Sequence, residues 1–92
     1  MYLVSYDIAC DRTRTKIAKL MENYGRRVQY SVFECQLDQG KYEEMYQKLM
    51  ELLQEEEAAS IRIYSVCERC RQKTVIMGDV NTPGELEKVY VI

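Results

Sequence analysis

The sequence predicts an α+β domain, one antiparallel sheet carrying two helices on a single face. Three observations lead there. A chain of 92 residues has room for one small domain with one sheet layer and two helices. Two segments, from Arg12 to Tyr24 and from Lys41 to about Glu57, set apolar side chains at helical spacing. Further segments with strand character fall before, between and after those helices.

The opening Tyr2-Leu3-Val4-Ser5-Tyr6-Asp7-Ile8 reads as a buried strand, because five of the first six residues are apolar or aromatic. Asp7 closes it, where a strand leaving the core exposes its last side chains. Asp11 stands where an N-cap would, and Ile17, Leu20, Met21 and Tyr24 then form one stripe at i, i+3, i+4 and i+7. Gly25 supplies the expected stop. Arg14 lies about 60° from the centre of the stripe. It is the basic residue best placed to lean back over the sheet edge towards Asp7, whereas Arg12 and Lys19 point the other way.

From Arg26 to Leu37 the chain is strand-like, with Val28, Tyr30 and Val32 alternating with Gln29, Ser31 and Phe33. The segment is long for so small a domain, and no Gly, Pro or Asn marks a hairpin inside it. It is either one strand bent near Tyr30-Ser31 or two short strands joined by an inconspicuous turn. Asp38-Gln39-Gly40 breaks it, with Asp38 a candidate N-cap. The second helix carries Tyr42, Met45, Tyr46, Leu49, Leu52 and Leu53 on one face and Glu43, Glu44, Gln47, Lys48, Glu51 and Glu55 on the other. Such an aromatic and methionine stripe is core rather than ligand site. Glu55-Glu56-Glu57 opposes the macrodipole at the helix end, so fraying is expected there.

Ser60 to Val66 is the next strand, with Ile61 and Ile63 on one face and Arg62 and Tyr64 on the other. Cys67-Glu68-Arg69-Cys70 interrupts, strand character resumes from Gln72 to Met77, and Gly78-Asp79 and Asn81-Thr82-Pro83-Gly84 are turn punctuation. Leu86 to Ile92 is apolar again and must pair with a sheet edge. In so small a chain the edge of a second copy is the expected one, which makes the protein a homodimer. Residues 1–77 are thus the expected domain and 78–92 a dimer-associated turn and strand. This order of elements is the ferredoxin-like arrangement, a fold that hosts many functions and by itself selects none.

Composition excludes more than it selects. Histidine is absent, which rules out Ser-His and Cys-His nucleophilic machinery and the usual histidine-containing zinc sites. A proton acceptor has to be a carboxylate, a lysine, a tyrosine or a metal-bound water. No apolar run approaches the ~20 residues of a membrane span. The chain enters a strand directly, without the basic-then-apolar pattern of a leader, so a cytoplasmic location and reduced cysteines are expected. Cysteines 10, 35, 67 and 70 have no regular spacing, and a single C-x-x-C without a second pair or a histidine is a weak metal signal. Zinc, redox chemistry and a structural turn all remain open there, the turn foremost.

The net charge of −2 hides a sorting: residues 11–30 carry a local +4, residues 34–57 a local −6, and residues 60–73 return to +3. An acidic chain can still present one basic face to nucleic acid, and the same blocks are equally read as solvated helix faces. Asp7 has a similar double reading. A carboxylate at a strand end beside arginines suits a metal and a phosphate. Before any resemblance is considered, a structural pair with a neighbouring arginine takes precedence, because such pairs at element ends are common.

Val4-Ser5-Tyr6-Asp7-Ile8, the run Tyr24-Gly25-Arg26-Arg27-Val28-Gln29-Tyr30-Ser31-Val32-Phe33-Glu34, and Ile61-Arg62-Ile63-Tyr64 before Cys67-Glu68-Arg69-Cys70 together resemble the CRISPR-associated Cas-two family. The likeness in order, spacing and length covers essentially the whole chain. It implies a ferredoxin-like homodimer, a magnesium-dependent endonuclease acting on RNA or DNA, and partnership with the Cas-one integrase in acquiring new spacers. It also implies the alternative of a non-catalytic scaffold that bridges integrase dimers and holds a DNA duplex. Residue by residue, Asp7 matches the family's strand-end metal ligand, with two copies sharing magnesium across the dimer axis. Arg14 and Arg27 match basic positions associated with nucleic acid or activity, and Ser31 and Phe33 match strand residues near the same site. Lys16 stands where some members have arginine, which keeps the charge and loses the bidentate phosphate geometry.

Overall fold

In the computed structural model, which describes residues 1–54 and 56–78, the first strand is also the central one. β1 (Tyr2–Ile8) pairs antiparallel on one side with β3 (Val32–Cys35) and on the other with β4 (Ala59–Ser65), and β2 (Arg26–Gln29) adds outside β3. The sheet order is β2-β3-β1-β4, the ferredoxin-like order expected from the sequence. Helix α1 (Asp11–Met21) joins β1 to β2, and α2 (Gln39–Leu53) joins β3 to β4.

One face of the sheet meets both helices. Val4, Tyr6 and Ile8 from β1 and Phe33 and Cys35 from β3 are buried with Ile17 and Met21 of α1 and Met45 and Leu49 of α2. The helical stripes read from the sequence therefore supply this core. Burial in it pushes the Cys35 thiol up to about 11, with the Glu34 carboxylate adding to the shift.

Several boundaries differ from expectation, each for a physical reason. Cys10, not Asp11, is the N-cap of α1; Asp11 begins the helix and pairs with Arg14 one turn on. The helix stops at Met21, so Tyr24 packs into the core from the following turn, where its hydroxyl donates to the Glu44 carboxylate. Gly25 is not a left-handed helix cap, since only Gly78 has a positive φ among the described residues. Its role is close approach: a Cβ there would lie 2.3 Å from the Glu34 carbonyl oxygen and 2.5 Å from the Cys35 sulfur.

The segment after Gly25 is two strands, joined by Tyr30 and Ser31. Two-residue hairpin loops usually need positive φ to match the strand twist. Here neither residue has it, and the register shifts between Arg27 and Gln29, leaving Val28 as an extra residue in β2. Asp38 caps α2 as expected, its side chain accepting from the Lys41 amide, and Gly40 falls inside the first turn. That helix ends at Leu53 rather than near Glu57.

Beyond β4, the C-x-x-C becomes the first turn of a short helix, α3 (Glu68–Gln72), and Thr74 to Met77 form no strand, with Val75 and Met77 exposed. Strand composition without an edge to pair with is not enough to make a strand. The expected terminal strand from Leu86 to Ile92 lies outside the described residues.

Candidate functional site

β1 alternates its side chains between two environments. Val4, Tyr6 and Ile8 enter the core, while Leu3, Ser5 and Asp7 face the side that neither α1 nor α2 covers. Register builds that bare face: Leu3 stands beside Glu34 and Tyr64, Ser5 beside Val32 and Arg62, and Asp7 beside Ser60. Asp7 is exposed, and its carboxylate has no hydrogen-bond or ion-pair partner among the described residues.

The backbone around Asp7 is nevertheless held on both sides. The Arg14 guanidinium donates to the Ile8 carbonyl at 2.8 Å and pairs with Asp11. The Tyr6 amide donates to the Ser31 carbonyl at 3.0 Å. Arg27 donates from Nη2 to the Tyr6 hydroxyl at 3.4 Å and from Nε to the Tyr30 carbonyl at 3.1 Å. Arg14, Arg27 and Ser31 thus converge on Tyr6-Asp7-Ile8. The result is a free carboxylate on a fixed strand end.

In two respects the expected roles change. Arg14 leans back over the sheet as expected but reaches the Ile8 backbone carbonyl, not Asp7, whose side chain turns away from the helices. Phe33 is 1% exposed, so its ring packs the core and offers no surface to a ligand. Its link to the site is indirect, through the Arg27 guanidinium lying over the ring at 5.6 Å. Lys16 is exposed on the outer face of α1 with Arg12 and Lys19, and none of the three has a charge partner among the described residues.

Sequence reasoning missed Arg62 as a site residue. It lies on the bare face diagonally across from Asp7, two residues along β4 from Asp7's partner Ser60, and donates to the Tyr64 hydroxyl at 3.4 Å. The signal was present in the alternation Ile61-Arg62-Ile63-Tyr64, which already placed Arg62 opposite the core-facing isoleucines.

The cysteines do not assemble. Cys67 caps α3, its sulfur accepting from the Cys70 amide at 3.4 Å, which holds its thiol below the usual range, while the neighbouring sulfur pushes Cys70 up. Cys35 is in the core and Cys10 is exposed ahead of α1. Among the described residues no three potential metal ligands gather at one point, so Asp7 has no cluster of further ligands beside it there.

Comparison with known proteins adds an independent line. The family model described as CRISPR associated protein Cas2 matches residues 1–74. A CRISPR-associated endoribonuclease, Cas2 1 of Chloroflexus aurantiacus, is 47% identical over 91 residues, covering 99% of this chain and 98% of its own. Among solved structures, Streptococcus pyogenes Cas2 at pH 6.5 superposes with a TM-score of 0.73 at 29% identity, over 84% of this chain and 98% of that one. A chain of a partial Cas6-RT-Cas1–Cas2 complex superposes with a TM-score of 0.69 at 30% identity, over 88% of this chain and 90% of its own.

Proposed function

The chain belongs to the Cas2 family, and from that premise we propose that it is an endonuclease of CRISPR adaptation, cleaving RNA or DNA phosphodiesters at Asp7 and joining a Cas1 integrase in spacer acquisition. The observation that carries the catalytic half is the Asp7 carboxylate, exposed and without a partner among the described residues, at the end of a central strand whose backbone is tied from both sides. The partnership is supported by the likeness to a chain of a Cas1–Cas2 complex.

Magnesium fits this donor set. It takes one or two carboxylates and keeps several waters, and one Asp7 per chain becomes two in a homodimer. Bound there, the ion would lower the pKa of a water, supplying a nucleophile that in this chain has no histidine base to generate it, and would offset phosphate charge. The remaining roles belong to the protein. Asp7 supplies the anchoring charge. Arg62, on the same bare face, is the guanidinium best sited to meet a phosphate. Arg14 and Arg27 hold the strand end in place. Asp7→Asn is expected to abolish metal-dependent cleavage by the purified protein while leaving its thermal midpoint unchanged; full activity in that variant would remove the assignment.

The outer face of α1 favours a second reading, a DNA-bridging scaffold in which cutting is dispensable. Arg12, Lys16 and Lys19 lie at i, i+4 and i+7, exposed and uncommitted among the described residues. Such a row suits duplex phosphates, with the steep salt dependence that phosphate contacts bring. In a spacer-acquisition assay this reading expects Asp7→Asn to retain uptake and reversal of the three charges to lose it. The nuclease reading expects Asp7→Asn to lose it as well.

A further inference from the structure

The most exposed large hydrophobic side chain among the described residues belongs to neither reading so far. Tyr30, at the tip of the β2–β3 hairpin, is 72% exposed. Single exposed aromatics are ordinary on protein surfaces. Three features set this one apart.

The first is position. The β1–β3 ladder pairs Ser5 with Val32, and the next bond runs from the Tyr6 amide to the Ser31 carbonyl. The hairpin tip therefore lies at the Asp7 end of the sheet. The second is support. The Arg27 guanidinium lies over the Tyr30 ring at 5.5 Å and over the Phe33 ring at 5.6 Å, while its Nε binds the Tyr30 carbonyl. A buried ring, a guanidinium and an exposed ring are thus coupled, and the exposed one is braced. The third is chemistry. A planar, electron-rich ring offered at a loop tip is the usual partner of an unpaired nucleobase, and stacking tolerates any base because every base has a π-face.

We propose that Tyr30 is a stacking platform for an unpaired base of a single-stranded nucleic acid at the Asp7 end of the sheet. The substrate class rests on the nuclease reading; the stacking itself does not require cleavage. A duplex keeps its bases paired and stacked inside, so the platform discriminates single strands from duplexes. Arg27 gains a second role as the brace that keeps the ring presented.

The test uses the full chain in an Asp7→Asn background, so that binding is read without cutting. Short labelled single-stranded RNA, single-stranded DNA of the same sequence, and the corresponding duplex are titrated by fluorescence anisotropy. Tyr30→Ala is expected to weaken single-strand binding about tenfold and leave the duplex unaffected. Tyr30→Phe and Tyr30→Trp are expected to bind like the parent, since both keep a ring. A loss confined to RNA assigns a ribonucleotide, a loss confined to DNA a deoxyribonucleotide, and a loss on both a platform indifferent to the sugar. Unchanged binding by Tyr30→Ala, an equal loss on the duplex, or a loss in Tyr30→Phe as large as in Tyr30→Ala overturns the proposal. Cleavage by the parent and by Asp7→Asn, measured separately, decides the catalytic assignment alone.

Discussion

The two faces of the sheet use the same strands for opposite ends. On the covered face, alternate residues of β1 and β3 lose their water to α1 and α2, and nothing polar is offered outward. On the bare face the intervening residues are left half-buried (Ser5, Val32, Glu34) or exposed (Asp7, Arg62, Tyr64). Stability and chemistry are therefore interleaved at a spacing of one residue, not segregated into separate regions. Because the period is two, a one-residue slip of β1 would drive Asp7 into the core and carry Tyr6 out. The ties to Ile8, Tyr6 and Ser31 guard against that slip.

That contrast can be broken most severely from the covered face. Phe33→Ala removes a fully buried ring and should cost about 3–5 kcal/mol in denaturant unfolding. Asp7→Asn should cost almost nothing in the same measurement while removing cleavage, which is the sharpest statement of the difference between the faces. Gly25→Ala comes next. The added methyl meets the Glu34 backbone and the Cys35 sulfur, so a loss of about 1–3 kcal/mol is expected from calorimetry. The smallest effect concerns pH. The Tyr24 hydroxyl, donating to Glu44, holds that carboxyl below its usual range, with Lys41 and Lys48 assisting. A depressed folded-state pKa means a contribution to stability that is present above the unfolded value near 4.5 and lost as pH falls through the folded one. Tyr24→Phe should therefore flatten the acid limb of a pH–stability profile slightly and leave the neutral region almost unchanged.

The covered face was the legible one. Its residues follow periods of 3.6 and 2, and Ile17, Met21, Met45, Leu49, Val4, Tyr6 and Ile8 took the positions those periods assign. The hairpin was legible only as an alternative, because its turn at Tyr30-Ser31 uses neither glycine nor asparagine and relies on the extra residue Val28 to absorb the twist. The stretch from Gln72 to Met77 misled for the reverse reason. Its composition favours a strand, but pairing is a property of neighbours that a linear pattern does not contain. Type and position left Asp7 a structural end-charge first, and only the resemblance made it the candidate ligand; that Arg14 would bind the Ile8 carbonyl was not legible, since a carbonyl acceptor leaves no mark in the sequence. Phe33 shows the limit of carrying a role by resemblance: the position matched, and its contribution is packing under Arg27.

The placement of β1 between β3 and β4 also sets an order in time. Asp7 is among the first residues made, yet the strand beside it, Ala59–Ser65, emerges from the ribosome more than fifty residues later. The β2–β3 hairpin and the two helices close short loops and can form early, whereas the β1–β4 ladder must wait for nearly the whole domain and closes the longest loop in it. A nascent or truncated chain lacking β4 therefore holds the carboxylate without the frame that aims it, and hydrogen-exchange protection of the Ser5 and Asp7 amides, which alternate with the Tyr6 amide bound to Ser31 and so face β4, should appear only once synthesis has passed Ser65.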